Sequence, residues 1–503
     1  MNIIYVSSEI VPFSKTGGLA DVAGSLPQEI AAPGHTVSVF TPYYRTVKKT
    51  EPKPRQIAEG TVPVGAEMMP WTLYLSGRSN GKVKVYFIAC DAYFDRDGLY
   101  GTPNGDYEDS CSRFVFFSRA CLAAGQALNQ RVDVWHCHDW QAALIPIYMK
   151  LVLGKNTFYS NAASVFTIHN LAYQGLFWHW DWPLLNIPWQ HFNWKELEFH
   201  GKMNLLKGAL VHSDMLTTVS PTYAREIQTP EFGCGLEGVL ADRKDDLFGI
   251  VNGVDTAAWN PAKDSLLPAT FSPGKMDGKA FCKSALRKRF KLPDGPSAVI
   301  GMIGRLFEQK GFDLVAQAIE ELLHRDVQLV ILGTGREEFH KLLQRVQQSH
   351  PKKVGVAFAF DNALAHLIEA GSDLFLMPSR YEPCGLNQLY SLAFGTPPVV
   401  HRVGGLADTI TDSTPETIEN GTATGFQFDE YTPEAMLACI DRALQIISAQ
   451  PEVWRKIQVA GMRQDWSWGF SAGQYVKVYE RAVLKRQQAL AVPLAEIDPP
   501  AAT

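Results

Sequence analysis

Short apolar runs, each closed by a glycine-bearing loop and followed by an amphipathic stretch, recur in both halves of the chain. Ile3–Val6 is four apolar residues in a row and predicts a buried strand. Pro12 and Gly17-Gly18 follow in a loop, and Leu19 to Ala32 predicts a helix that ends near Pro33-Gly34. Thr36–Phe40 then returns to strand character. The same grammar reappears at Ala298–Ile303, which leads through Gly304-Arg305-Leu306 and a loop to Gly311 into an amphipathic stretch from Phe312 to His324. Val327–Leu332 ends in Gly333-Thr334-Gly335, and Asp373–Met377 and Val399-Val400 predict two more strands. Strand, glycine loop, helix, strand is the pattern of an open parallel α/β sheet, which binds ligands at the carboxyl ends of its strands.

At 503 residues the chain is too long for one ordinary core and suits two large domains. Asn252-Gly253-Val254-Asp255 predicts a turn, and the stretch from Trp259-Asn260-Pro261 to Pro273-Gly274 is polar with several prolines. The boundary is therefore expected near 255–275. Leu490 to Thr503 is rich in Ala and Pro and predicts a frayed tail.

Composition narrows the function. Hydrophobic residues make up 46% and charged residues 20%, ordinary for a globular protein. The net charge of -5 argues against a nucleic-acid surface but not against a small anion, for which a few cations and helix N-termini suffice. Eight scattered cysteines include no C-x-x-C pair, which fits reduced thiols in a cytoplasmic protein better than zinc or a disulfide framework. The N-terminus lacks the basic and apolar regions of a signal peptide, and no apolar run reaches about 18 residues.

Several motifs carry candidate chemistry. Lys15-Thr16-Gly17-Gly18-Leu19 enters a helix, so it reads either as an anion-binding turn or as a surface lysine before a glycine turn. Arg305 and Lys310 leave a strand and enter a helix; they offer a fork and a point charge suited to a diphosphate, or simply a solvated loop. In Ser379-Arg380-Tyr381-Glu382-Pro383-Cys384-Gly385-Leu386, Glu382 either caps a helix or holds sugar or ribose hydroxyls. His136-Cys137-His138-Asp139-Trp140 has the look of a metal cluster, yet strand alternation puts the two histidines on one side and the cysteine on the other, so no metal is expected. His169 stands at a similar strand end, as a ligand contact or a satisfied core group. Trp178, Trp180, Trp182, Trp189, Phe192 and Trp194 suit sugar faces, but core or interface is the favoured reading for most of them. Gly469-Phe470-Ser471-Ala472-Gly473 matches the hydrolase elbow without a preceding strand, and Asp95-Arg96-Asp97 matches a metal-binding triplet that is common by chance. Gly17-Gly18-Leu19-Ala20-Asp21 recurs as Gly404-Gly405-Leu406-Ala407-Asp408.

In chain order, KTGGLADV from Lys15, HCHDW from His136, TIHNLAYQG from Thr167, VNGVD from Val251, GRLFEQKG from Gly304, SRYEPCGLNQL from Ser379 and GGLADT from Gly404 resemble the bacterial glycogen synthase and plant starch synthase family. The resemblance implies a GT-B glycosyltransferase with two Rossmann-like α/β domains facing across a cleft, at 1–260 and 261–469. It also implies a C-terminal helix at about 470–485 that crosses back to the first domain, ahead of a tail at 486–503. It further implies transfer of glucose from ADP-glucose to the end of an α-1,4-glucan, with retention and without a metal or cofactor. On that footing Lys15, Gly17 and Gly18 meet the donor phosphate, and Arg305 and Lys310 hold the diphosphate. Glu382 sits at the donor glucose or ribose, and Cys384, Gly385 and Leu386 bind the donor beside it. His169 and Asn252 contact the glucosyl unit, Phe360 stacks on adenine, and Gly404, Gly405 and Leu406 complete the phosphate cradle. Glu9 and Asp139 fall on the acceptor side. The chain departs from the family's pattern at Val403 and Asn387, where threonine is common, and at Tyr390, where related families carry a second glutamate. The alternatives are a relative using UDP-glucose or another acceptor, and a glucan-binding protein that has lost catalysis.

Overall fold

The computed structural model describes residues 1–51, 53–102 and 105–491. The chain divides into two compact units, one of 1–219, 224–250 and 468 onward, the other of 220–223 and 251–467.

The first unit is built on a nine-stranded sheet. Seven of its strands are parallel, in the order Leu247–Gly249, Met215–Thr218, Ala163–Ile168, Val134–His138, Asn2–Val6, Thr36–Pro42 and Val83–Ala89. Glu67–Leu75 and Arg55–Val64 extend it antiparallel. The central strands are buried along nearly their whole length, as expected of a parallel sheet covered on both faces. From Asn2–Val6 the chain moves first to one side, at Thr36–Pro42, and later fills the other side, at Val134–His138. The carboxyl ends of Asn2–Val6 and Val134–His138 therefore flank the topological switch point, where ligands bind in such sheets.

The second unit repeats the plan with six parallel strands, in the order Val354–Ala357, Val327–Leu332, Ala298–Ile303, Leu374–Met377, Pro398–His401 and Phe426–Phe428. Its switch point lies between Ala298–Ile303 and Leu374–Met377, the strands that launch the Arg305 and Glu382 loops.

Two expected boundaries move. The second unit begins at Val251, not 261. The polar, proline-rich stretch is not a loose linker, because Trp259 stacks on Tyr390 at 3.7 Å and on His366 at 3.9 Å. Val254 N–H also donates to Trp466 O at 2.7 Å. Tyr390, at the position where related families carry a second glutamate, thus serves as a packing ring. The last helix spans Trp468–Ala491, so 486–491 is helical and not tail; the rest of the expected tail, 492–503, lies outside the described residues. This helix belongs to the first unit, where Tyr475 and Tyr479 are fully buried. Ser471 lies within it, which removes the hydrolase-elbow reading.

Candidate active site

At the switch point of the first unit, Glu9 follows the Asn2–Val6 strand and is only 3% exposed. Its Oε2 accepts from the backbone N–H of Thr16 at 2.5 Å and of Gly17 at 3.2 Å. Its Oε1 accepts from Thr16 Oγ1 at 2.6 Å and from the Tyr100 hydroxyl at 2.7 Å. Both oxygens are bonded within the protein, so Glu9 holds the glycine turn. Nothing in the sequence pointed to Tyr100, which lies 91 residues away. The turn opens the Gly18–Ala31 helix, whose N-cap Gly17 receives no side-chain cap. A Cβ on Gly17 would meet nothing within 4 Å, so the turn is open at that point. Lys15 is not bare: its Nζ pairs with Asp21 at 2.7 Å. The pair is exposed, so exchanging Asp21 for an anion costs little.

Asp139 and His169 end the neighbouring strands. Asp139 adopts φ 54°, a left-handed conformation that aspartate tolerates better than most residues, and its Oδ1 accepts from His169 N–H at 2.8 Å. Burial pushes the Asp139 carboxyl up to about 7, with the Glu9 charge adding to the rise against the two backbone N–H groups it accepts from. Asp139 thus shapes the His169 backbone, a role not visible in sequence. The expected alternation holds: His136 and His138 lie on one side with centroids 4.0 Å apart and their rings tilted at 47°. His136 spends both ring nitrogens, on Thr167 Oγ1 at 2.6 Å and on the Tyr479 hydroxyl at 2.8 Å.

His138 Nδ1 lies 3.0 Å from His169 Nε2, while His138 Nε2 is buried without a partner. A buried orphan N–H is costlier than an orphan lone pair. His138 therefore carries its proton on Nδ1 and donates it to His169 Nε2, so His169 carries its own proton on Nδ1 and is a donor there. Burial lowers both rings, His169 to about 3, which keeps it neutral near pH 7.

In the second unit, Ala298–Ile303 ends in Gly304 and Arg305, and a short 3-10 turn at Glu308–Lys310 leads into the Phe312–Leu323 helix. Gly311 needs φ 78° here, and a Cβ would lie 2.0 Å from Pro378 O. Arg305 is exposed; its guanidinium touches Gln309 Oε1 only weakly, at 3.4 Å. Lys310 Nζ pairs with Glu382 Oε2 at 2.5 Å, and Ser379 Oγ donates to the same oxygen at 3.0 Å. Glu382 itself is buried. The Gly404-Gly405 pair packs onto this loop: a Cβ on either would sit 2.0 Å from the carbonyl of Glu382 or Cys384, and Gly405 N–H donates to Glu382 O at 3.1 Å. Gly405 thereby supports the Glu382 turn, and its N–H is spent before any phosphate arrives. Leu406 is core.

Asn252 is buried beside Cys384, with its side-chain carbonyl unpartnered, and burial pushes the Cys384 thiol up to about 12. Gly385 adopts φ 75° against the Gln388 side chain. Asn387 Nδ2 donates to Ile303 O at 2.8 Å, tying the Glu382 loop to the strand before Arg305, so this departure from threonine has its own structural use. Val403 is buried in a small apolar cluster with Phe375 and Met377. Phe360 is 90% exposed on the loop after Val354–Ala357, where a planar base could lie on it.

Both copies of the Gly-Gly-Leu-Ala-Asp echo open helices, at Gly18 and Gly404. Asp95, Arg96 and Asp97 are consumed by ion pairs with Arg45, Lys48 and Asp109. Among the described residues no His, Cys, Asp or Glu cluster could hold a metal ion, and no helix is long and apolar enough to cross a membrane.

Residues 2–242 match the family described as Starch synthase catalytic domain, and 284–455 match Glycosyl transferases group 1. A glycogen synthase of Koribacter versatilis is 47% identical over 96% of this chain and 98% of its own length. The chain belongs to the glycogen and starch synthase family. It is accordingly a glycosyltransferase of GT-B fold. The catalytic domain of Starch Synthase IV from Arabidopsis thaliana, solved bound to ADP and acarbose, superposes with a TM-score of 0.85 at 31% identity, covering 96% of this chain and 99% of that one. Sucrose-phosphate synthase from Thermosynechococcus elongatus shares the fold, with a TM-score of 0.58 at 17% identity over 98% of this chain and all of that one.

Proposed function

We propose that this glycogen/starch synthase transfers glucose from ADP-glucose to the non-reducing end of an α-1,4-glucan, with retention at the anomeric carbon and without a metal. The observation that carries the reading is the pair of cations, exposed Arg305 and Glu382-paired Lys310, at the switch point of the second sheet. Breaking the glucosyl–phosphate bond leaves negative charge on ADP. Cations fixed in advance stabilise that charge more in the transition state than in the ground state. The related plant starch synthase with ADP and acarbose bound supports a nucleotide diphosphate and a glucan as the two ligands.

The remaining groups divide by chemistry. Phe360 offers a face to adenine, and the Lys15-Gly17-Gly18 turn is a second anion-directed element. The neutral His169, a donor at Nδ1, suits a sugar hydroxyl and not a phosphate. At the switch point of the first sheet, neither carboxylate described is free to act as a nucleophile: Glu9 is bonded to the turn and Asp139 to the His169 backbone. We therefore assign a front-face route, in which the departing phosphate takes the proton of the acceptor hydroxyl. The unpaired thiols fit a reducing compartment such as the cytoplasm.

The test is incorporation of radiolabel from ADP-[14C]glucose and UDP-[14C]glucose into maltotetraose, with proton NMR of the new anomeric centre. Preference for ADP-glucose and an α-configured product are expected. Equal use of UDP-glucose would overturn the donor assignment, and a β-linkage would overturn retention.

A further inference from the structure

The tryptophan-rich segment of the first unit, read from sequence as mostly core or interface, is largely a surface. Only Trp182 of its tryptophans is buried, while Trp178 is 48%, Trp180 62%, Trp189 57% and Trp194 72% exposed. They sit on a small antiparallel sheet, Leu176–Trp178, Lys202–Asn204 and Glu198–Phe199, and on the 3-10 turns His179–Leu185 and Trp189–His191.

The rings are fixed in place. Trp178 and Trp180 stack at 4.9 Å and 17°, with the Lys202 ammonium 4.5 Å from the Trp178 centroid. Trp189 and Phe192 stack at 4.6 Å and 25°. Buried Trp182 meets both Trp189 and Phe192 edge-on and donates its indole N–H to Ile187 O at 2.9 Å. Exposed aromatics in such a cluster exceed what a surface without a partner ordinarily shows.

The chemistry of the face selects its occupant. Residues 176–204 hold two lysines, Lys195 and Lys202, against Asp181, Glu196 and Glu198. Glu196 is further paired with His191 at 2.7 Å. Without a surplus of positive charge, neither a nucleic acid nor an anionic membrane is matched. Rigid flat rings beside the exposed amide of Gln190 match a neutral polymer with apolar ring faces and hydroxyl edges. The face also continues directly from the strand end that carries His169. Only 170–175 intervene, held by donation from Leu205 N–H to Gly175 O and from Leu206 N–H to Gln174 O, with Tyr173 exposed among them.

We propose that the Trp178–Trp180 face is a separate α-glucan-binding site that holds a distal part of the polymer. The proposal rests on the glucan reading above. Its test compares the wild type with Trp178→Ala/Trp180→Ala on glycogen and on maltotetraose, at saturating ADP-glucose. The half-saturating glycogen concentration is expected to rise about tenfold, while the maltotetraose kinetics stay within about twofold. Trp178→Phe/Trp180→Phe should keep most of the glycogen affinity. Equal losses on both acceptors, or no change on glycogen, would overturn the site. So would a changed sedimentation coefficient, since the face would then join copies of the chain. Co-sedimentation with glycogen in the absence of any donor reads the site independently. A wild type that sediments through these tryptophans but transfers nothing would sink the transferase reading and leave the site standing; a wild type that does not sediment would sink the site.

Discussion

Arg305 and Lys310 differ in how each is held, and this makes their alanine variants separable. The Arg305 guanidinium is exposed and touches the protein only at Gln309 Oε1, 3.4 Å away, and near the Phe307 ring at 5.6 Å. Removing it should change stability by at most about 0.5 kcal/mol. If it faces the diphosphate, the same change should cost about 3–4 kcal/mol in the transition state, roughly 100- to 1,000-fold in kcat. Lys310→Ala should lose a similar factor in rate, but it also strands the buried Glu382 carboxylate with only Ser379 Oγ at 3.0 Å. Breaking a fully buried pair costs about 3–5 kcal/mol, and the partial exposure of Lys310 brings the expectation down to about 1–3 kcal/mol. At roughly 3 °C per kcal/mol for a domain of this size, the melting temperature should fall visibly for Lys310→Ala and not for Arg305→Ala. Adding Glu382→Gln to Lys310→Ala should restore stability without restoring rate. The measurements are initial rates of label transfer from ADP-glucose and calorimetric melting curves. Near-wild-type kcat in folded Arg305→Ala would refute the diphosphate assignment. A rate loss in Lys310→Ala that Glu382→Gln repairs along with stability would show that Lys310 is only structural.

His169→Ala should lower turnover far more than ADP affinity, measured by calorimetric titration; equal losses would make it a nucleotide or structural residue. Asp139→Asn tests the raised carboxyl. Its folded value of about 7 lies above the ordinary 3.8, so its stabilising contribution is full below about pH 4 and lost as pH rises through 7. The melting temperature of the variant relative to wild type should climb between pH 4 and 8, and a flat difference would contradict the burial argument. Activity should survive EDTA unchanged; loss that magnesium or manganese restores would overturn the metal-free mechanism.

The alternation of short strands, glycine loops and helices made both sheets legible, because strands buried on both faces read as mostly apolar runs. Ala298–Ile303 and Val327–Leu332 fall where the pattern puts them. The hold of Glu9 on the glycine turn was not legible, because its partners are Thr16, the Gly17 backbone and a tyrosine 91 residues away, which leave no pattern in sequence. The boundary was misread because composition describes solvent preference, while Trp259 is held by rings from distant helices. The exposed tryptophans were misread for the reverse reason: hydrophobic residues alone do not say which side of a small sheet faces water.

The return of the Trp468–Ala491 helix to the first unit sets an order of events during synthesis. His136 waits for Tyr479, 343 residues later. At about 5–20 residues per second, translation leaves that side of the first sheet uncovered for tens of seconds, while the whole second unit emerges and can fold. During that interval Tyr5 and His136, both fully buried in the finished fold, lack the helix that covers them.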